Sequence, residues 1–175
     1  VTALDPIRFT VDADGEIQSE TATDALEQAN VILDAGRVAE ARSKYVAVVE
    51  GFPDTKAAQA ASFNLGLIAE ENGQYMVALS NFESALKNNL DREVSYRARL
   101  KIAALHAQLK DWSAAETALV AAKVSEFATK RDRVEILARL GYVRMKMGKP
   151  EAEIDLQAAV DTYVTATERP DPYFA

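Results

Sequence analysis

Three side-chain positions recur four times in this chain at a fixed step of 37 residues. They are Ala41, Ala78, Ala115 and Ala152; Tyr45, Phe82, Leu119 and Leu156; and Val48, Ala85, Ala122 and Ala159. Within each copy they stand at i, i+4 and i+7, which is one face of an α-helix. A second amphipathic segment precedes each triplet: 25–35, 57–71, 95–109 and 134–147. Between the two segments lie Gly36-Arg37, Gly73-Gln74-Tyr75, Lys110-Asp111-Trp112 and Gly148-Lys149-Pro150. Glycine past a helix end accepts the left-handed cap conformation, and Pro150 sits where a new helix starts and its missing N–H costs nothing. Each unit therefore reads as helix, short turn, helix. The small alanines let the two helices of a pair approach closely, and Tyr45, Phe82, Leu119 and Leu156 fill the space toward the neighbouring unit. The expected fold is all-α, a right-handed α-solenoid of about four such units.

Composition agrees and excludes a good deal. Of 175 residues 32 are Ala, the best helix former, and no proline lies between Pro53 and Pro150. With no cysteine the chain has no disulfide framework, thiolate metal site or thiol nucleophile. No run approaches the ~18 apolar residues that a membrane-spanning helix needs. Because the chain starts at Val1 rather than Met, a processed or engineered start is expected, and the lack of a signal segment carries little weight. The net charge of −7 argues against a nucleic-acid partner. All of that excess sits in residues 1–55, with 11 acidic and 4 basic side chains, while 56–175 hold 16 of each. An acidic front end serves solubility or biases the docking of a partner.

The units resemble the tetratricopeptide repeat. The second shows the pattern most fully, with Leu65-Gly66 in its first helix, Gly73 and Tyr75 at the turn, and Ala78, Phe82 and Ala85-Leu86 in its second. Unit one keeps Ala41, Tyr45 and Pro53, unit three Trp112, Ala115 and Ala122, and unit four Leu140-Gly141, Gly148 and Ala152. The resemblance covers residues 22–167, in units of about 22–58, 59–95, 96–132 and 133–167. Its period of 37 exceeds the family's usual ~34, and the extra residues are expected between units, as at Gly51-Phe52-Pro53-Asp54-Thr55-Lys56. That connection and the period resemble bacterial envelope-associated repeat proteins. The resemblance points to a periplasmic or envelope location, with the cytoplasm as the alternative.

Both ends fall outside the array. Residues 1–21 read as an N-terminal arm or a small hairpin turning at Asp12-Ala13-Asp14-Gly15. Asp12 and Asp14 lack the frame and the closing Glu of a calcium loop, so no metal is expected there. Residues 168–175 read as a tail or the start of a further helix, an apolar ending of the kind expected where an array continues.

Catalytic constellations are sparse. The single histidine, His106, reads as a partly buried packing residue, and the acid pairs Glu70-Glu71 and Glu151/Glu153 flank turns and helix ends. No glycine-rich phosphate loop occurs, and no cofactor is implied. The chain reads as a non-enzyme.

What remains is a surface for a protein or peptide. The resemblance implies that the first helices of successive units line a concave groove. By register the groove residues are Asn30 in unit one; Phe63, Asn64 and Leu67 in unit two; Arg97, Leu100 and Lys101 in unit three; and Arg139, Tyr142 and Lys146 in unit four. Phe63, Leu67, Leu100, Tyr142 and Met145 are expected to be exposed apolar groups, costly to show to water without a purpose. Tetratricopeptide domains that grip a C-terminal carboxylate use five positions, here Leu26, Asn30, Asn64, Arg97 and Lys101, and Leu26 removes one cation from that set. The alternative function is structural, with self-association through the uncapped C-terminal end.

Overall fold

The structure is a computed structural model that describes residues 7–11, 17–87 and 89–168. Two strands, β1 (Ile7–Val11) and β2 (Ile17–Thr21), pair antiparallel with Ile7 opposite Thr21 and Val11 opposite Ile17. The expected Asp12–Gly15 turn and the tail from 169 onward lie outside the described residues. Among the described residues eight helices follow: α1 (Ala22–Asp34), α2 (Val38–Gly51), α3 (Lys56–Glu71), α4 (Tyr75–Leu86), α5 (Arg92–Gln108), α6 (Trp112–Lys123), α7 (Lys130–Lys146) and α8 (Glu151–Glu168). They form an all-α array of four helix–turn–helix units. The chain divides into two compact bodies, Val1–Ala98 and Arg99–Ala175, the division falling within α5.

Local chemistry explains where the helices begin and end. Each first helix opens on a short polar side chain that accepts from the exposed amides of the first turn. Thr21 and Thr129 form reciprocal capping boxes with Asp24 and Asp132, Thr55 accepts from the Ala58 amide, and the Asp91 carboxylate accepts from the amides of Glu93 and Val94. Each first helix also ends in the same way. The amides of Arg37, Gln74, Asp111 and Lys149 donate back five residues, to the carbonyls of Ile32, Ala69, His106 and Arg144. This bond requires a left-handed residue just before the donor. Gly36, Gly73 and Gly148 supply it at φ +75°, +71° and +67°. The third turn has no glycine, and Lys110 takes the same conformation at φ 62°.

The steps between units are uneven. Second helices α2, α4 and α6 start at Val38, Tyr75 and Trp112, at equal intervals, while first helices start at Ala22, Lys56, Arg92 and Lys130, at intervals that lengthen along the chain. Additional residues accumulate in the links α2–α3, α4–α5 and α6–α7. The first of these is anchored by Phe52, which is buried.

In the first body α1, α2 and α3 enclose Ala22, Ala25, Ala29, Ile32, Ala41, Tyr45, Val48, Ala61 and Ile68. The alanines of α1 and α3 bring the helices close, and Tyr45 fills the gap that they leave. The link into α5 is held by a buried amide: Gln59 Nε2 donates to the Asp91 carbonyl at 3.0 Å and to Ser95 Oγ at 2.9 Å, and Gln59 Oε1 accepts from the Asp91 amide at 2.7 Å. Removing this side chain would leave the part-buried amide and carbonyl of Asp91 without these partners.

In the second body α7 lies against both α6 and α8. A part-buried ionic network joins the three. Arg144 donates to Glu116 at 2.7 Å and to Asp155 at 2.6 Å, Lys149 also donates to Glu116, and Lys123 lies 3.7 Å from Asp155. Hydrogen bonds from Lys149 and Arg144 hold the Glu116 carboxyl below the ordinary carboxylate range, and the same carboxylate raises the Arg144 guanidinium. Leu156 departs from its expected role: it packs on Gly141 but stays 40% exposed, whereas Tyr45, Phe82 and Leu119 in the same register are fully or almost fully buried.

Candidate functional site

The first helices place the residues singled out from sequence on helical faces, but the faces differ from expectation. In the first body Asn30 is part-buried in α1, and its Oδ1 accepts from Tyr45 Oη at 2.7 Å and from Asn64 Nδ2 at 3.2 Å. The two amides therefore hold a buried phenol. Burial lifts the Tyr45 phenol above its usual value, an effect that the hydrogen bond with Asn64 opposes. Sequence reasoning put Tyr45 in the core and missed that it binds Asn30 and Asn64; a tyrosine, where the other units have Phe82, Leu119 and Leu156, was the signal.

Phe63 was expected to be exposed and is instead 4% exposed. Two neighbours close over it: the Phe82 ring, with centroids 5.3 Å apart, and the Arg97 guanidinium, 4.9 Å from its centroid. What this face shows to solvent is thus Arg97, stacked on an aromatic ring that orients it, beside half-buried Leu67. Desolvation of one face of the guanidinium leaves its edge N–H groups free to meet a carboxylate or carbonyl.

In the second body Leu100 and Lys101 are half-buried on α5. Arg139 is exposed and ion-paired with Glu135 one turn earlier in α7. Tyr142 is 46% exposed; Trp112 meets its ring edge-on at 6.1 Å, and Lys146 Nζ lies 5.2 Å from its centroid. Met145 is exposed beside them. This cluster combines a large apolar contact area with an ammonium that can pair with an acid. The lone histidine, His106, is half-buried with Nδ1 3.5 Å from Asp111 Oδ2, and Asp111 caps α6 through the Ala114 amide. Among the described residues no three His, Cys, Asp or Glu side chains gather in a metal-binding arrangement.

The family model of the tetratricopeptide repeat-like domain matches residues 14–169. The chain belongs to this family. Tetratricopeptide architecture is also what solved structures share with it. BtubC (BKLC) from P. vanneervenii matches with a TM-score of 0.69 and 18% identity over 86% of this chain and 66% of its own. A MamA protein gives 0.66 and 15% over 86% and 77%. A tetratricopeptide repeat protein from Parabacteroides merdae gives 0.66 and 18% over 85% and 54%. At these identities the likeness is one of fold, and the chain spans just under two thirds of the BtubC chain. No curated protein matches the chain in sequence.

Proposed function

We propose that this tetratricopeptide array is a non-catalytic scaffold that binds a peptide or a partner helix on the faces of its first helices. The observation that carries the reading is Tyr142, a large aromatic side chain left half in solvent on α7 with a lysine over its ring and a methionine alongside. Arg97 and Leu67 give the first body a smaller version of the same chemistry. Both faces suit a segment that offers an apolar side chain next to an acidic one. A carboxylate clamp is not part of the proposal, because the Asn30 carbonyl is already engaged by Tyr45 and Asn64 and Leu26 stands where a cation is needed.

The test uses a peptide selected from a random library against the 175-residue protein, with affinity measured by fluorescence anisotropy. Tyr142→Ala with Lys146→Glu, or Leu67→Ala with Arg97→Glu, should weaken binding by at least about tenfold. Met76→Ala, at an exposed position on α4, should leave it unchanged. Affinity kept by both double variants, with native circular dichroism, would overturn the reading.

A further inference from the structure

The face around Tyr142 specifies its ligand more closely than a general peptide. Tyr142 and Met145 are 46% and 54% exposed, and Trp112 meets the Tyr142 ring edge-on at 6.1 Å, so an incoming flat side chain finds two rings to pack against. Lys146 Nζ lies 5.2 Å from the Tyr142 centroid, and among the described residues no carboxylate pairs with it. A ligand that places an acid within a few residues of an aromatic ring satisfies both groups at once.

The chain itself carries such a segment. Its sequence contains one pair of adjacent aromatic residues, Tyr173-Phe174, and Asp171 stands two positions before it. Other exposed apolar groups beside acids are aliphatic branches on folded helices, as with Val31 near Asp34 on α1 and Ile154 beside Glu153 on α8. Neither offers a ring to Trp112 and Tyr142.

Helix length keeps this segment from the face of its own chain. Gly141 packs on Ala152 and Leu156, which sets the neighbouring Tyr142 beside the first turns of α8. Leu156 is twelve residues before Glu168, about 18 Å along the axis at a rise of ~1.5 Å per residue. Asp171 is three residues beyond Glu168 and stays within about 11 Å of it even when fully extended. The acid thus falls short of its own Lys146 and meets that of another copy.

We propose that residues 169–175 of one copy dock on the Trp112–Tyr142–Lys146 face of a second. The inference rests on the reading of that face given above and names its partner. Tyr173-Phe174 lies against the two rings, and Asp171 pairs with Lys146. Pro170 and Pro172 fix φ and bias Arg169 and Asp171 toward extended backbone, which lowers the entropy lost on docking. Because tail and face are different surfaces, the contact is heterologous and repeats from copy to copy.

Sedimentation of the 175-residue chain at roughly 0.1–1 mM, the affinity range of a short segment with two anchors, tests this. Association should grow with concentration. Tyr142→Ala with Lys146→Glu should leave monomers, and so should Asp171→Lys with Tyr173→Ala; the first pair is exposed and the second lies beyond α8, and circular dichroism checks that the helices are kept. An equimolar mixture of the two double variants should form dimers and stop there, since one supplies the tail and the other the face. Lys146→Glu with Asp171→Lys in a single chain should restore association. A monomeric parent chain or a mixture that stays monomeric would overturn the proposal. So would association kept by the tail variant, because the face would then belong to α1, α8 or another segment. These failures leave the reading of the face itself standing, which falls only if the library-selected peptide is indifferent to Tyr142→Ala with Lys146→Glu.

Discussion

Replacing Gly66 by alanine tests the packing of the second unit at its tightest point. A Cβ at Gly66 would lie 2.5 Å from Phe82 Cε1, 2.6 Å from Cδ1 and 2.9 Å from Cζ. Unstrained carbon contacts sit near ~3.5–4.0 Å, so ring and helix would have to separate by about 1 Å. The ring has nowhere to go, being fully buried with Phe63 packed 5.3 Å away. Overpacking of this kind costs about 1–3 kcal/mol, and the better helix propensity of alanine returns up to about 1 kcal/mol. A net loss of about 1–2 kcal/mol is expected. Gly141 supplies the internal comparison. There a Cβ would meet Leu156 Cγ at 2.6 Å, but Leu156 is 40% exposed and can swing aside, and the rigid Ala152 carbonyl stands further off at 3.1 Å. Gly141→Ala should therefore stay within about 1 kcal/mol of the parent. Urea denaturation followed by far-ultraviolet circular dichroism measures both. Equal stabilities for the two variants, or a gain for Gly66→Ala, would refute the reasoning.

Three further outcomes follow from particular contacts. Lys110→Gly should stabilise by about 0.5–1 kcal/mol in thermal melts, since relief of the left-handed strain exceeds the added freedom of the unfolded chain; a loss would show that the lysine side chain holds the turn. Tyr45→Phe should cost about 1 kcal/mol in urea titration, as the Asn30 carbonyl loses its buried donor, and a neutral result would remove that bond from the account. The Glu116 carboxyl is depressed in the folded state, so its contribution is present above the unfolded value of 4.5 and is lost as pH falls through the lower folded value. Denaturation midpoints measured from neutral to acid pH should fall less steeply for Glu116→Gln than for the parent, and identical slopes would count against the network.

Much of the array was legible because its signals are local. Helical spacing placed every pair, and Gly36, Gly73 and Gly148 mark the ends of first helices. The third turn escaped this rule since Lys110 adopts a left-handed conformation on the strength of the bond from Asp111 to His106, not of its own type. Partners far apart in sequence were hidden altogether. Register puts Phe63 on the first-helix face, but whether that face is open depends on Phe82 and Arg97, 19 and 34 residues onward. The pairing of Asn30 with Tyr45 and Asn64, and that of Gln59 with Asp91 and Ser95, likewise exists only once helices have stacked. Tyr142 stayed exposed as expected, because its neighbours Trp112 and Lys146 meet its edge and face without covering it.

The claim on which the functional account rests is that a bound segment lies along the first helices. Photo-crosslinking reads this directly: a benzophenone side chain in place of Leu67 or Tyr142, on α3 and α7, is compared with the same group in place of Met76 or Val120, on α4 and α6, in the presence of the library-selected peptide. Crosslinks at the first pair and not the second are predicted. Crosslinks confined to Met76 and Val120 would contradict the account.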